Sequence, residues 1–144
     1  MKSTAFAALA SAFLVAPAFA DGHATGDAAA GEKVFKKCKS CHMIADADGN
    51  AIQKGGKSGP NLYGLFGRTA GSYEGFKYSK GLKAVGETGS TWDEEMFVAW
   101  VADPSKYLTD TLGKKERSKM SFKLKDAEDA ANLWAYLVSV GPDS

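Results

Sequence analysis

With 18 Lys and Arg against 17 Asp and Glu, a formal net charge of +1 and a mean hydropathy of −0.24, this 144-residue chain is long enough for one domain. With so small a net charge, nucleic acid is a poor candidate partner. Its 16 glycines describe a loop-rich chain with a modest protein core.

Met1 and Lys2 precede an apolar, alanine-rich run from Ala5 to Ala16, and Ala18-Phe19-Ala20 has the small-x-small form of a cleavage site. Residues 1–20 therefore read as a secretory signal peptide, removed after Ala20. A membrane anchor would need ~20 apolar residues, and this run meets Pro17 after about a dozen. The expected mature chain is one exported domain, residues 21–144, of formal charge zero, because the leader removes Lys2 and no acidic residue.

Asp27 is placed to cap a first helix that runs towards Lys37 and brings Val34 and Phe35 to one face. That helix leads into Cys38-Lys39-Ser40-Cys41-His42, which holds both cysteines of the chain in a C-x-x-C-H pattern. Cysteines three residues apart lie about one helical turn from each other, so both thiols can add to vinyl groups on one edge of a porphyrin. His42 is then held under the iron as proximal ligand. A zinc site would want two more Cys or His at ligand spacing, and the other histidine, His23, lies in a Gly/Ala-rich stretch. A thioredoxin-like centre should follow a strand in a βαβ pattern rather than a helix. A buried porphyrin would also supply apolar surface that the chain itself lacks, which predicts a poorly folded apoprotein.

Downstream, residues Asp46 to Pro60 are polar and Gly-rich, and Gly64 to Gly75 is also loop-like. Thr91-Trp92-Asp93-Glu94 has the form of a capping box; the helix it opens carries Met96, Phe97, Trp100 and Val101 at helical spacing and should stop before Pro104. Asp126 caps a last helix with Leu133, Trp134, Tyr136, Leu137 and Val140, ended by Gly141-Pro142. No alternating β run of useful length appears, so the expected class is all-α.

The charges segregate. Lys114, Lys115, Arg117, Lys119, Lys123 and Lys125 crowd one stretch, and Lys33, Lys36, Lys37 and Lys39 crowd the approach to the cysteines. A docking role is expected for these basic groups, whereas the acidic residues gather where helices begin and suit the helix dipole.

The iron's other axial position has four candidates: His23, Met43, Met96 and Met120. Met43 follows the proximal histidine directly and cannot cross to the opposite face. Met96 has the spacing of a core residue, and His23 reads as solvated. Met120 sits in a loop between two expected helices, where a segment can fold over the distal face; a thioether there favours ferrous iron.

The chain resembles the class I cytochrome c family, and within it the soluble bacterial cytochrome c2 and c-550 type. Besides Cys38-Lys39-Ser40-Cys41-His42, the matching blocks are Gly31-Glu32-Lys33-Val34-Phe35, Gly59 to Arg68, Gly75-Phe76-Lys77-Tyr78, Thr91-Trp92, Asp103-Pro104, Lys119-Met120-Ser121-Phe122 and Leu133-Trp134-Ala135-Tyr136-Leu137. The resemblance implies a helical fold wrapped around one haem c held by Cys38 and Cys41, with His42 and Met120 on the iron. It implies that the Pro60 carbonyl accepts a hydrogen bond from the His42 ring, that Arg68, Tyr78 and Trp92 serve a haem propionate, that Gly31 and Phe35 meet Tyr136 and Leu137 where the first and last helices cross, and that Phe122 covers the haem edge. Charge-assisted donors are what a buried propionate needs.

Two departures stand out. Trp100 falls where the family commonly has a tyrosine whose hydroxyl bonds the methionine sulfur, and the loops from Met43 to Gly59 and from Leu108 to Ser118 are longer than in mitochondrial relatives. The function implied is a monomeric periplasmic one-electron carrier, not an enzyme, working between a cytochrome bc complex and a photosynthetic reaction centre or cytochrome c oxidase. A haem enzyme or gas sensor would need an open distal position and a distal acid or base, and a thiol–disulfide oxidoreductase would need Cys38 and Cys41 free.

Overall fold

A computed structural model describes residues 24–142; the expected leader and His23 lie outside the described residues. Among these residues, five helices and one short hairpin make up the regular structure: α1 (Ala28–Phe35), β1 (Ile44–Ala45), β2 (Ala51–Gln53), α2 (Lys80–Glu87), α3 (Glu94–Ala102), α4 (Pro104–Leu112) and α5 (Ala127–Ser139). The mainly helical expectation holds, and β1 and β2 pair antiparallel across a turn at Asp46–Asn50. That pairing is too short to show as alternation in a sequence.

The crossing of α1 and α5 organises the molecule. Asp27 caps α1 by accepting from the Ala30 N–H at 2.7 Å, and its own N–H donates to Asn132 Oδ1 of α5 at 2.7 Å. Gly31 lets the two backbones touch, since a Cβ there would lie 1.9 Å from the Asn132 carbonyl oxygen. Phe35 and Tyr136 follow with ring centroids 6.1 Å apart, and α3 closes the other side of α5 through Phe97 on Trp134 at 5.2 Å. Phe35, Leu108 and Trp134 are fully buried, each contributing about 1.5–3 kcal/mol or more of apolar burial.

Two helices were absent from the sequence expectation, each for a physical reason. α2 contains Gly81 and Gly86, and each glycine costs ~1 kcal/mol of helix propensity. Packing overrides that cost: a Cβ at Gly86 would sit 1.9 Å from the Ala70 carbonyl oxygen, while Leu82 and Val85 are buried. α4 begins at Pro104. α3 stops at Ala102 as expected, but Asp103 then caps a second helix by accepting from the Lys106 N–H at 3.1 Å. Proline at the first helical position needs no N–H partner, and Gly113 at φ 66° ends the helix.

The cap of α3 is also corrected. Asp93, not Thr91, accepts from the Met96 N–H at 2.8 Å. Thr91 and Trp92 are drawn into extended pairing with 67–69, where the Trp92 N–H donates to the Arg68 carbonyl at 2.9 Å and the Gly67 N–H to the Trp92 carbonyl at 2.8 Å. Asp126 caps α5 as expected, accepting from the Asp129 N–H at 2.9 Å.

Candidate haem site

α1 runs directly into the cysteine turn. The Cys38 N–H donates to the Phe35 carbonyl at 2.8 Å and the His42 N–H to the Cys38 carbonyl at 2.9 Å, so the pentapeptide is wound into turns rather than extended. Residues 55–59 lie flat against it. The Gly56 N–H donates to the Lys39 carbonyl and the Gly59 N–H to the Cys41 carbonyl, both at 2.8 Å. A Cβ at Gly55 would fall 1.8 Å from the His42 carbonyl oxygen, and one at Gly59 2.3 Å from His42 Cε1. Gly55 and Gly56 are site residues that the sequence reads as mere loop, and Gly59 opens the block that resembles the family; their local cluster is the available signal.

The His42 ring is fixed by its Nδ1, 2.8 Å from the Pro60 carbonyl. A carbonyl can only accept, so Nδ1 carries the proton and Nε2 keeps its lone pair for a metal. Burial pushes the His42 pKa below its ordinary value, against the opposing pull of the Pro60 carbonyl, which favours the neutral ligand form. The two thiols differ. Burial, then the neighbouring Cys41, pushes Cys38 up to about 11, while hydroxyls of Ser58 and Ser40 lower the exposed Cys41.

All eight residues named from the sequence line one cleft of about 250 Å³: Cys38, Cys41, His42, Pro60, Arg68, Tyr78, Trp92 and Met120. Leu62, Leu65, Leu82, Phe97, Trp100, Val101 and Leu133 complete a largely apolar wall, and Phe122, 40% exposed, stands at its mouth. Met96 is buried in the core and, like Met43, does not line the cleft. Trp100 does line it, with its ring edge-on to Trp92 at 5.7 Å and to Tyr107 at 6.0 Å.

Arg68 anchors a polar corner. Its guanidinium donates to the carbonyls of Asn61, at 2.9 Å, and Tyr63, and lies 4.8 Å from the Tyr73 ring centre. The Tyr78 hydroxyl accepts from the Tyr73 N–H at 3.3 Å, and burial raises its pKa while that N–H and Arg68 oppose the rise. Tyr73 and Asn61 went unassigned in the sequence. Asn61 bridges both backbone groups of Ala45, donating at 2.8 Å and accepting at 3.0 Å, which ties this corner to the hairpin.

This donor set fits a covalent porphyrin. An apolar cleft with two thiols, an imidazole nitrogen left free to ligate, a thioether and a half-buried cation is what such a group needs from a protein. The family comparison decides it. A family model described as Cytochrome c matches residues 28–141.

The chain belongs to the cytochrome c family. It is 49% identical over 139 residues to cytochrome c2 of Cereibacter sphaeroides, covering 94% of this chain and 93% of the relative. It is 46% identical over 149 residues to cytochrome c-550 of Paracoccus denitrificans, covering 100% and 92%. A solved structure of cytochrome c2 from Rhodobacter sphaeroides superposes with a TM-score of 0.78 at 50% identity, over 81% of this chain and 97% of that one. As a member of this family it is an electron-transfer protein of the class I type, not an enzyme, and carries one covalent haem c. No helix among the described residues is long and apolar enough to cross a membrane.

Several basic residues stand at or near the cleft mouth, some already paired. Lys37 meets Asp129 at 2.9 Å and Lys123 meets Asp103 at 2.6 Å, while Lys119 Nζ donates to the Lys77 carbonyl at 2.8 Å. Lys37 and Lys119 line the cleft itself.

Proposed function

We propose that the chain is exported, loses residues 1–20 after Ala20, and works in the periplasm as a monomeric domain of residues 21–144. There it shuttles single electrons from a cytochrome bc complex to a photosynthetic reaction centre or a terminal cytochrome c oxidase. Cys38 and Cys41 would carry the thioethers, and His42 and Met120 would hold the iron. The Pro60 carbonyl holds the His42 ring, and Arg68, Tyr78 and Trp92 serve the buried propionate. Haem would supply a one-electron iron couple; the protein would supply His42 and Met120 to hold it in a largely apolar cleft.

The observation that carries this reading is the convergence of both thiols, the free His42 Nε2 and the Met120 thioether on one apolar cleft. Among the described residues lining that cleft there is no carboxylate and no second histidine, which supports a carrier over a peroxidase-like site needing a distal acid or base. The deciding experiment is the optical spectrum of the purified protein in both oxidation states. Met120→Ala should remove the weak far-red sulfur-to-ferric-iron band and lower the potential, and Met96→Ala should leave the band intact. The reverse pattern would overturn the ligand assignment.

A further inference from the structure

The segment bearing Met120 is held from one side by α4. Ser105 and Thr109 stand four residues apart on that helix and share a face. The Thr109 hydroxyl accepts from the Glu116 N–H at 3.1 Å, and the Ser105 hydroxyl accepts from the Ser118 N–H at 2.9 Å. The Ser118 hydroxyl then accepts from the Met120 N–H at 3.0 Å. On the far side the next backbone tie is the Leu124 N–H, 2.7 Å from the Val101 carbonyl, and Ser121, Phe122 and Lys123 between them are exposed. The lysine contacts of this segment, Lys119 to Lys77 and Lys123 to Asp103, are made by exposed side chains, and exposed charge pairs hold little. The hydroxyl chain is partly buried at Ser105, Ser118 and Met120, where a lost acceptor is felt more.

We infer that Ser105 is a positioning residue for Met120: the series Ser105 hydroxyl, Ser118 N–H, Ser118 hydroxyl, Met120 N–H holds the thioether in the cleft and sets how often it leaves. The inference rests on Met120 being the iron's ligand. An outside ligand reaches the iron only when the methionine has left, so its apparent affinity scales with the open fraction. Ser105→Ala strands the Ser118 N–H and should raise that fraction about tenfold. The fold should survive, because alanine is the best helix former at this partly buried position.

The test is a titration of the ferric holoprotein with imidazole, followed by loss of the far-red band. Ser105→Ala and Ser118→Ala should each bind imidazole about tenfold more tightly, and Ser105→Thr, which keeps the hydroxyl, should stay within about twofold of the parent. Because the links act in series, the double alanine variant should match either single one rather than multiply them. Unchanged affinity in Ser105→Ala, equal tightening in Ser105→Thr, or multiplicative effects would each overturn the relay. The parent and Met120→Ala serve as reference. If the parent shows no far-red band, or Met120→Ala keeps it, the ligand reading fails and takes the relay with it. If that pair behaves as expected and imidazole is indifferent to Ser105, the relay alone fails.

Discussion

Gly31→Ala sets two physical effects against each other, and their magnitudes predict the sign. Gly31 lies inside α1, where alanine should stabilise the helix by ~1 kcal/mol. The added Cβ would lie 1.9 Å from the Asn132 carbonyl oxygen and 2.8 Å from Tyr136 Cβ. Relief requires α1 to move away from α5 by at least about 1 Å, because real Cβ contacts essentially never fall below 3.0 Å. Such a shift loosens the Phe35–Tyr136 contact and the Asp27–Asn132 hydrogen bond together. Overpacking of this kind costs about 3 kcal/mol, which exceeds the propensity gain by about 2 kcal/mol. For a domain of this size that is a fall in Tm of roughly 8 °C. The measurement is thermal unfolding of the ferric holoprotein followed by circular dichroism. A rise of a few degrees, as propensity alone dictates, would refute the close-packed crossing.

Three other outcomes follow from the same geometry. Asp93→Ala should destabilise α3 by about 1 kcal/mol in denaturant titration while Thr91→Ala costs clearly less, because the cap hydrogen bond is made by Asp93; equal losses would restore the capping box. Asp103 is held below the usual carboxylate range, first by the hydrogen bond from Lys123 and then by the Lys106 N–H. Its contribution is therefore present above the unfolded carboxyl's pKa and lost as pH falls through the lower folded value. Lys123→Ala should lower Tm slightly at pH 7, and the gap should close as pH falls through the lowered Asp103 value; a gap that persists once Asp103 is protonated would show that the pair is not its source. Finally, Lys123→Glu should slow electron transfer to a membrane partner with an acidic docking face far more than Lys106→Glu, and the contrast should shrink at high salt, where the screening length falls from ~10 Å towards ~3 Å. Equal effects, or rates indifferent to salt, would move the docking face elsewhere.

Much of the site was legible because its chemistry needs rare residues at tight local spacing. Cys38, Cys41 and His42 lie within one helical turn, so their joint placement is a property of the chain itself. The caps at Asp27 and Asp126 were readable for the same reason: a side chain serving an N–H three residues on is a local event. Met120 could be named from its loop and from resemblance, but its arrival in the cleft depends on contacts with α4. Those contacts were hidden because α4 itself was missed: Pro104 reads as a stop and is equally a first helical residue.

What only tertiary structure decided shares a physical cause, namely close approach between segments distant in sequence. α2 forms despite two glycines because the Ala70 backbone lies where a side chain would otherwise be, and no local propensity contains that fact. Thr91 lost the cap to Asp93 because the chain on either side of it is held in extended pairing opposite residues 67–70. Gly55, Gly56 and Gly59 became part of the site because the cysteine turn lies against them. The sequence by itself determined the cofactor chemistry, the cysteine turn and the two helices that cross. Packing determined which glycines, hydroxyls and carbonyls enclose them, because a steric contact or hydrogen bond between segments far apart in the chain exists only once both have been folded into place.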